Sequence, residues 1–274
     1  MPFDRTKIRY VYSGSGSSTN PQLSLGGPPS LNYVTGTNLF SNISAAQSTT
    51  GKIDYRCVYL VNENSTNSLF NVSVLLSYDY PNTVSIDFGC LFQNERQIIS
   101  LSNYTVGTTT GKFTLRYTDA QNDHSFDVNA DTIGAMANTI KTELETVLGA
   151  ANVNVTGTQL GTVVTYQIDF VNGAGYRYHD IITSTANTLS PASTIAITKN
   201  VNGAPLNSVA DPIDVDTTPP VNITFTNTIK PPTPFSELKG LDHLPIWIRR
   251  TVAPNSTFVE NDSFILRSQG TTGA

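Results

Sequence analysis

Residues 53–78 constrain the fold of this 274-residue chain more than any other stretch. Two runs of apolar residues alternate there with more polar ones: Ile53, Tyr55, Cys57, Tyr59 and Val61, then Phe70, Val72, Val74, Leu76 and Tyr78. A period of two residues is typical of strands that bury one face. Residues 62–67 between them are rich in Asn, Ser and Thr, which favour turns, so the sequence predicts a β-hairpin. A lone hairpin is marginal in water, so other segments must cover its apolar face.

The composition narrows the class of protein. Charged residues make up 14% of the chain, against roughly 25% in typical soluble domains. Such surfaces suit virion, cell-surface or secreted proteins more than metabolic enzymes. The net charge of -5 offers no basic field, so we expect no nucleic-acid binding. The first residues lack an apolar stretch, so no cleaved signal peptide is expected, and no run reaches the ~18 apolar residues of a membrane span.

The alternating pattern returns at both ends of the chain. Further strands are predicted at residues 84–90, 96–101, 221–226, 245–252 and 263–267. Together the two ends supply seven or eight strands, the usual number for a β-sandwich. The C-terminal stretch alone has too few apolar residues to fold. The sequence therefore predicts a mainly β protein, with an immunoglobulin-like or jelly-roll-type sandwich built from residues 1–104 and 205–274.

Residues 105–204 have a different pattern and are predicted to form an inserted α+β domain. Strands are expected at residues 112–117, 125–128, 153–155, 163–171 and 194–198. One amphipathic helix is expected, because apolar residues recur with a helical period: Ile133, Met136, Ala137, Ile140, Leu144 and Val147. Asp131 or Thr132 can cap its start and Gly149 can end it. Its core is predicted to join Ile133, Met136, Ile140 and Leu144 to the strand face Val164, Tyr166, Ile168 and Phe170.

A long segment at residues 13–50 is rich in Gly and Ser and carries few apolar anchors. A structureless loop of this length is unusual inside a compact domain. One interpretation is an extended arm that supplies most contacts to a neighbouring subunit. The other is a loop that folds over its own domain.

Few residues suggest chemistry. Cys57 and Cys90 lie on apolar strand faces; they could pair between the sheets, but buried reduced thiols are favoured without a secretion signal. The three histidines, His124, His179 and His243, are isolated and show no metal-ligand spacing. We predict no catalytic, cofactor-binding or metal-binding residues.

Two acidic groups resemble turns rather than metal loops. Asp211, Asp214 and Asp216 lack the glycine and distal glutamate of an EF-hand, and a solvated loop is expected. Asp119, Asn122 and Asp123 are expected to form a hairpin turn. A glycosidase carboxylate pair is joined only by the fold, and nothing in the sequence singles one out.

Trp247 allows two interpretations. Trp247, Arg249 and Thr251 share one face of a predicted strand, and Trp with Arg is a combination enriched at interface hot spots. The alternative, favoured here, is a core tryptophan with an arginine stacked or ion-paired at the sheet edge.

Several strings resemble tailed-bacteriophage virion proteins. They are Leu25-Gly26-Gly27, Asn38-Leu39-Phe40, the run at residues 51–62 that contains YRCVYL, and residues 245–252, which contain IWIRRTV, followed by Asn261-Asp262 and a strand ending at Gly270. The inserted segment resembles a module of phage and bacterial surface proteins, through residues 111–115, 144–148, 152–157 and 166–170. The resemblance covers about three quarters of the chain and implies structural or accessory proteins without known catalytic residues.

These observations predict a non-enzymatic virion protein, attached to the capsid or tail surface as a decoration, fibre-base or baseplate component. It would assemble in the host cytoplasm without cofactors, dock through its β-sandwich on other virion subunits, and form a homo-oligomer or lattice. The alternative is a carbohydrate-binding adhesin, for which Tyr176, Tyr178 and the pair Tyr78/Tyr80 are candidate stacking residues. A glycan hydrolase has the least support.

Overall fold

The computed structural model describes residues 4–35, 39–79, 84–119, 122–229, 237–256 and 264–272. The chain is mainly β, as predicted, and divides into two compact units. Unit 1 comprises Met1–Leu91 and Pro205–Ala274, and unit 2 comprises Phe92–Ala204. No helix in the described part of the chain is long and apolar enough to cross a membrane.

The elements follow in chain order. The strands of the first segment of unit 1 are β1 (Ile8–Ser13), β2 (Pro29–Tyr33), β3 (Lys52–Asn62), β4 (Leu69–Asp79) and β5 (Val84–Cys90), with helix α1 at Ala45–Thr50. Unit 2 contains β6 (Arg96–Ser102), β7 (Lys112–Thr118), β8 (Asp123–Asn129), helix α2 (Ile133–Leu148), β9 (Val153–Leu160), β10 (Val163–Phe170), β11 (Thr183–Asn187) and β12 (Thr194–Val201). The chain closes unit 1 with β13 (Thr224–Thr226), β14 (Thr228–Ile229), β15 (His243–Val252) and β16 (Phe264–Thr272).

The part of unit 1 that the structure describes forms two antiparallel sheets. The larger has the order β13-β5-β15-β3-β1-β2, and the smaller has the order β14-β4-β16. Strands from both ends of the sequence alternate in these sheets, since β15 lies between β5 and β3. The two segments of unit 1 therefore depend on each other for their backbone hydrogen bonds.

The predicted hairpin at residues 53–78 is wrong in its pairing, although both strands exist. β3 pairs with β1 and β15, whereas β4 pairs with β14 and β16, in the other sheet. Both edges of each strand are thus occupied by segments that are distant in sequence. The connection crosses between sheets through a polar corner, in which Asn62 Nδ2 donates to the carbonyls of Asn67 and Leu238 at 2.8 and 2.9 Å.

The segment at residues 13–50 folds over its own unit, as the second interpretation expected. Ser24 bonds to the part of the β3 edge that β1 does not pair with: its carbonyl accepts from the Cys57 amide at 2.8 Å, and its hydroxyl donates to the Cys57 carbonyl. β2 pairs with β1, and α1 begins with a capping box between Ser44 and Gln47. The segment is therefore not an extended arm where it is described, because its polar groups bond to unit 1.

The described residues of unit 2 form two antiparallel sheets and one α-helix. The sheets have the orders β12-β6-β10-β9 and β11-β7-β8. The predicted helix is confirmed as α2; Thr132 is its N-cap and accepts from the Ala135 amide at 3.3 Å, while Gly149 ends it with φ of 89°. Its apolar stripe and the predicted face of β10 lie in one core.

Two details of unit 2 differ from the predictions. Residues 96–101 form β6, which pairs with β10 and β12, so unit 2 begins at residue 92 rather than at residue 105. The alternation that suggested a sandwich strand is equally compatible with this sheet. β11 escaped prediction because all five of its residues are exposed and none is strongly apolar.

Candidate functional site

Two networks of buried polar side chains hold irregular segments, one in each unit. In unit 1 the network lies at the start of β3, where Asp54 and Arg56 are both fully buried. Burying an ion is costly unless it is paired and fully hydrogen-bonded. The hydrogen-bond partners of Asp54 and Arg56 therefore indicate which segments the network holds in place.

Arg250 of β15 lies opposite Asp54 and binds it through two hydrogen bonds, from Nε at 2.9 Å and from Nη2 at 2.7 Å. A second cation, Lys52, lies 2.8 Å from the same carboxylate. Arg56 bonds to the Asp216 carboxylate at 3.2 Å. The positive charges of Lys52 and Arg56 lower the pKa of Asp216 against the opposing effect of burial, which is the largest single influence.

Both arginines also bind the backbone of the segment before α1, while Arg56 Nη1 donates to the Tyr55 carbonyl at 2.7 Å. Arg56 Nε donates to the Leu39 carbonyl at 3.2 Å, and Arg250 Nη1 donates to the Ser41 carbonyl at 2.9 Å. Between these carbonyls the buried Phe40 ring lies under both guanidinium groups, with centroid distances of 5.4 and 4.7 Å. We call Lys52, Asp54, Arg56, Asp216 and Arg250 the arginine clamp, because they fasten Phe40 to the sheet.

In unit 2 the network is centred on Glu95, which is fully buried. Its carboxylate accepts from the backbone amides of His179 and Gly203, at 2.9 and 3.2 Å, and from Lys199 at 3.1 Å. Gln97 Oε1 accepts from the Ile182 amide at 2.8 Å. The side chains of Glu95 and Gln97, at the start of β6, thus accept hydrogen bonds from the connection between β10 and β11 that a neighbouring strand would otherwise accept.

His179 packs inside this connection. Its ring stacks on Phe170 at a centroid distance of 4.1 Å, Nδ1 lies 2.9 Å from the Tyr117 hydroxyl, and Nε2 lies 2.7 Å from the Ala174 carbonyl. Burial lowers the pKa of His179 to about 4. A carbonyl only accepts, so Nε2 carries a proton. At neutral pH the imidazole is uncharged and serves as a structural bridge.

Gly203 shows how tightly the connection is packed. A Cβ atom at this position would lie 1.5 Å from the Arg177 carbonyl oxygen. Only glycine permits this approach, and the same residue donates its amide to Glu95.

The other predicted residues have structural roles. Trp247 is in the core of unit 1, and Arg249 pairs with Asp87 at 2.6 Å while stacking on Phe225, as the favoured interpretation expected. Asp119 and Asn122 form the predicted turn between β7 and β8.

The histidines and the second acidic group are dispersed. His124 lies 3.0 Å from Glu143, and His243 packs edge-on against Tyr59. Asp211 and Asp214 are exposed in a loop, whereas Asp216 belongs to the arginine clamp. Within the described ranges, no group of three His, Cys, Asp or Glu residues could hold a metal ion.

Cys57 and Cys90 are buried free thiols in one sheet. β15 separates their strands, and Trp247 pairs with both Cys57 and Gly89. Because adjacent residues of a strand point to opposite faces, Cys90 lies on the face opposite Cys57. Two strand spacings amount to ~10 Å, beyond the ~7 Å limit between the Cα atoms of a disulfide. The inter-sheet bridge considered from the sequence is therefore incompatible with this fold. Burial raises the pKa of Cys57 to about 12.

The candidate sugar-stacking residues do not form a common group. Tyr178 is 40% exposed, with the Lys199 ammonium 3.5 Å from its ring centroid. Tyr176 packs edge-on against Phe92. Tyr80 and the side chain of Tyr78 lie outside the described residues, as do Pro231-Pro232-Thr233-Pro234, Asn261 and Asp262.

Comparison with known proteins leaves the family open. No family model matches this chain. No curated protein matches it either. Among solved structures, the D1-D2-D3 domains of the flagellar cap protein FliD from Escherichia coli are similar at 8% identity and a TM-score of 0.22. The match covers 78% of this chain and 60% of that chain. A likeness at this TM-score supports no conclusion about function.

Arg56, Asp54, Glu95 and Gln97 were not among the candidate residues predicted from the sequence. The sequence contains one signal for Asp54 and Arg56: each is a charged residue with an apolar residue on both sides. A charge inside a buried strand requires a partner, which indicates a network although it does not identify the partner.

Proposed function

We propose that this protein is a non-enzymatic structural component of a bacteriophage virion, on the capsid or tail surface as a decoration, fibre-base or baseplate protein. The observation that carries the proposal is the use of its buried charges. Asp54, Arg56 and Arg250 fasten the segment before α1, and Glu95 fastens the connection after β10. These buried charged side chains hold irregular backbone in place, as a component of a rigid assembly requires.

The sequence resemblance points in the same direction. The strings that resemble virion proteins include most of β3 and β15, the two central paired strands of the larger sheet of unit 1. Unit 1 would therefore dock on other virion subunits, and unit 2 would be an accessory module.

The test is direct detection in particles. Virions purified by density gradient should contain this protein. The number of copies per particle should match the symmetry of the capsid or tail. A map of the intact particle should then show unit 1 against a neighbouring subunit. Absence of the protein from purified particles would refute the proposal.

A second candidate is a carbohydrate-binding adhesin, and one observation favours it. Tyr178 exposes 40% of its surface on a connection held rigidly by Glu95 and Gln97. Sugar rings stack on exposed aromatic side chains of this kind. A glycan array decides between the candidates: an adhesin should bind a defined glycan and lose it in Tyr178→Ala, whereas a purely structural protein should bind none.

A further inference from the structure

We propose that the outer face of the four-stranded sheet of unit 2 is a contact between two copies of this chain. The proposal rests on the assembly role argued above and names the surface through which copies meet. It follows from the register of β12, β6, β10 and β9, which places the outward side chains in rows across the sheet.

Two complete rows contain no charge. One row runs through Ala196, Ser100, Thr165 and Thr158, and the next through Thr198, Ile98, Gln167 and Thr156. Their neighbours along β6 and β10 (Ile99, Leu101, Val164, Tyr166 and Ile168) are fully or almost fully buried, so the row residues point away from the core. In the next row, beside Thr158 and Thr165, Leu160 and Val163 pair with each other and are 87% and 42% exposed. We call these ten residues the uncharged face.

The outer face of the other sheet in unit 2 is different. It carries Lys112 and Arg116 on β7, each diagonal to its partner on β8, Asp127 and Asp123, and these form two exposed ion pairs. That face has the charges of an ordinary solvated surface. The uncharged character is therefore specific to one sheet and is not shared by the whole unit.

The distribution of charge favours a second copy of this chain as the partner that binds the uncharged face. Copies of a protein with a net charge of -5 repel each other, and the repulsion is weakest where they meet without charges. The uncharged face is bordered by one ion pair, Arg96–Asp169 at 2.6 Å, on adjacent strands β6 and β10. A two-fold axis parallel to the strands and between β6 and β10 would bring Arg96 opposite Asp169 of the second copy, and the reverse. An adjacent pair of opposite charges is thus complementary to itself.

The area of the face predicts a weak contact. Four strands and their outward residues cover roughly 20 Å by 20 Å, or about 400 Å². A stable interface buries about 800 Å² on each partner. We therefore expect reversible association of the isolated protein, which strengthens when many copies are held in one particle.

Sedimentation velocity of the full chain, from micromolar to millimolar concentration, tests the proposal. The wild-type sedimentation coefficient should rise with concentration. Thr165→Lys places a cation beside the axis in each copy, and like charges in contact should raise the dissociation constant by about tenfold or more. Ala186→Lys adds the same charge on β11, away from the uncharged face, and should associate as the wild type does.

A charge exchange tests the two-fold arrangement. Asp169→Arg should weaken association, and the double variant Arg96→Asp/Asp169→Arg should restore it. Circular dichroism confirms that each variant is folded. Wild-type protein that stays monomeric at every concentration, equal losses in Thr165→Lys and Ala186→Lys, or a double variant that fails to associate would each overturn the proposal. Because no particle is involved, these outcomes are independent of whether the protein is found in virions.

Discussion

Gln93 and Ala204 form a reciprocal backbone bridge: the amide of each donates to the carbonyl of the other, both at 3.0 Å. These residues lie at the start and the end of unit 2. The chain therefore leaves and re-enters unit 1 at neighbouring points, as insertion of one domain into another requires.

Replacement of residues 94–203 by a short Gly/Ser linker should leave unit 1 folded. The ends already meet, and loop closure depends weakly on length, at ~0.6 kcal/mol per doubling. Hydrogen exchange should show protected amides in β3 and β15 of the shortened protein. An unfolded product would contradict the division into two folding units.

Ile140→Asp should unfold unit 2 alone. Ile140 is fully buried in the core of unit 2, where a charge has no partner. Amide exchange should become fast in β6–β12 and stay slow in β3 and β15. Asn138→Asp, on the exposed side of the same helix, is the matched control and should leave both units protected. A single transition that melts both units in Ile140→Asp would refute the prediction.

Asp54→Ala should destabilise unit 1 by about 3–5 kcal/mol, because it leaves a buried arginine without its carboxylate. That arginine is Arg250, which loses both of its hydrogen bonds to Asp54. The control Asp87→Ala breaks the partly exposed pair with Arg249 and should cost about 1 kcal/mol or less. Urea unfolding followed by fluorescence measures both, and equal losses would show that burial of the clamp is not decisive.

Cys57 and Cys90 should stay reduced in the assembled protein. They lie on opposite faces of one sheet with β15 between their strands. Alkylation under denaturing, non-reducing conditions, followed by mass spectrometry, should label both thiols. A quantitative bridge between them would contradict the sheet order.

Acidification should destabilise unit 2 through His179. Its pKa is lowered from 6.5 to about 4 by burial, so between these values the unfolded chain binds a proton that the folded chain does not. This contribution to stability is complete above pH 6.5 and falls as the pH approaches 4, by up to about 3 kcal/mol. His179→Asn should flatten the pH dependence of urea unfolding between pH 7 and 4. An unchanged slope in His179→Asn would contradict the assignment.

The sequence determined those features whose physics is local. The α2 stripe from Met136 to Leu144 and the inward face of β10 follow from residues three or two positions apart, and both lie in the predicted core. The alternation of apolar and polar residues likewise predicted the positions of β3, β5, β7 and β15, because it appears in consecutive residues of one strand.

Only the tertiary structure decided which strands pair and which charges meet. The hairpin prediction failed because β15 and β16 occupy the edges of β3 and β4, and they lie about 190 residues further along the chain. The arginine clamp likewise joins Arg56 to Asp216 and Asp54 to Arg250. Alternation shows that a strand has a buried face but carries no information about the segment that covers it, and a buried charge shows that it has a partner without naming it. Those choices depend on packing of the whole chain.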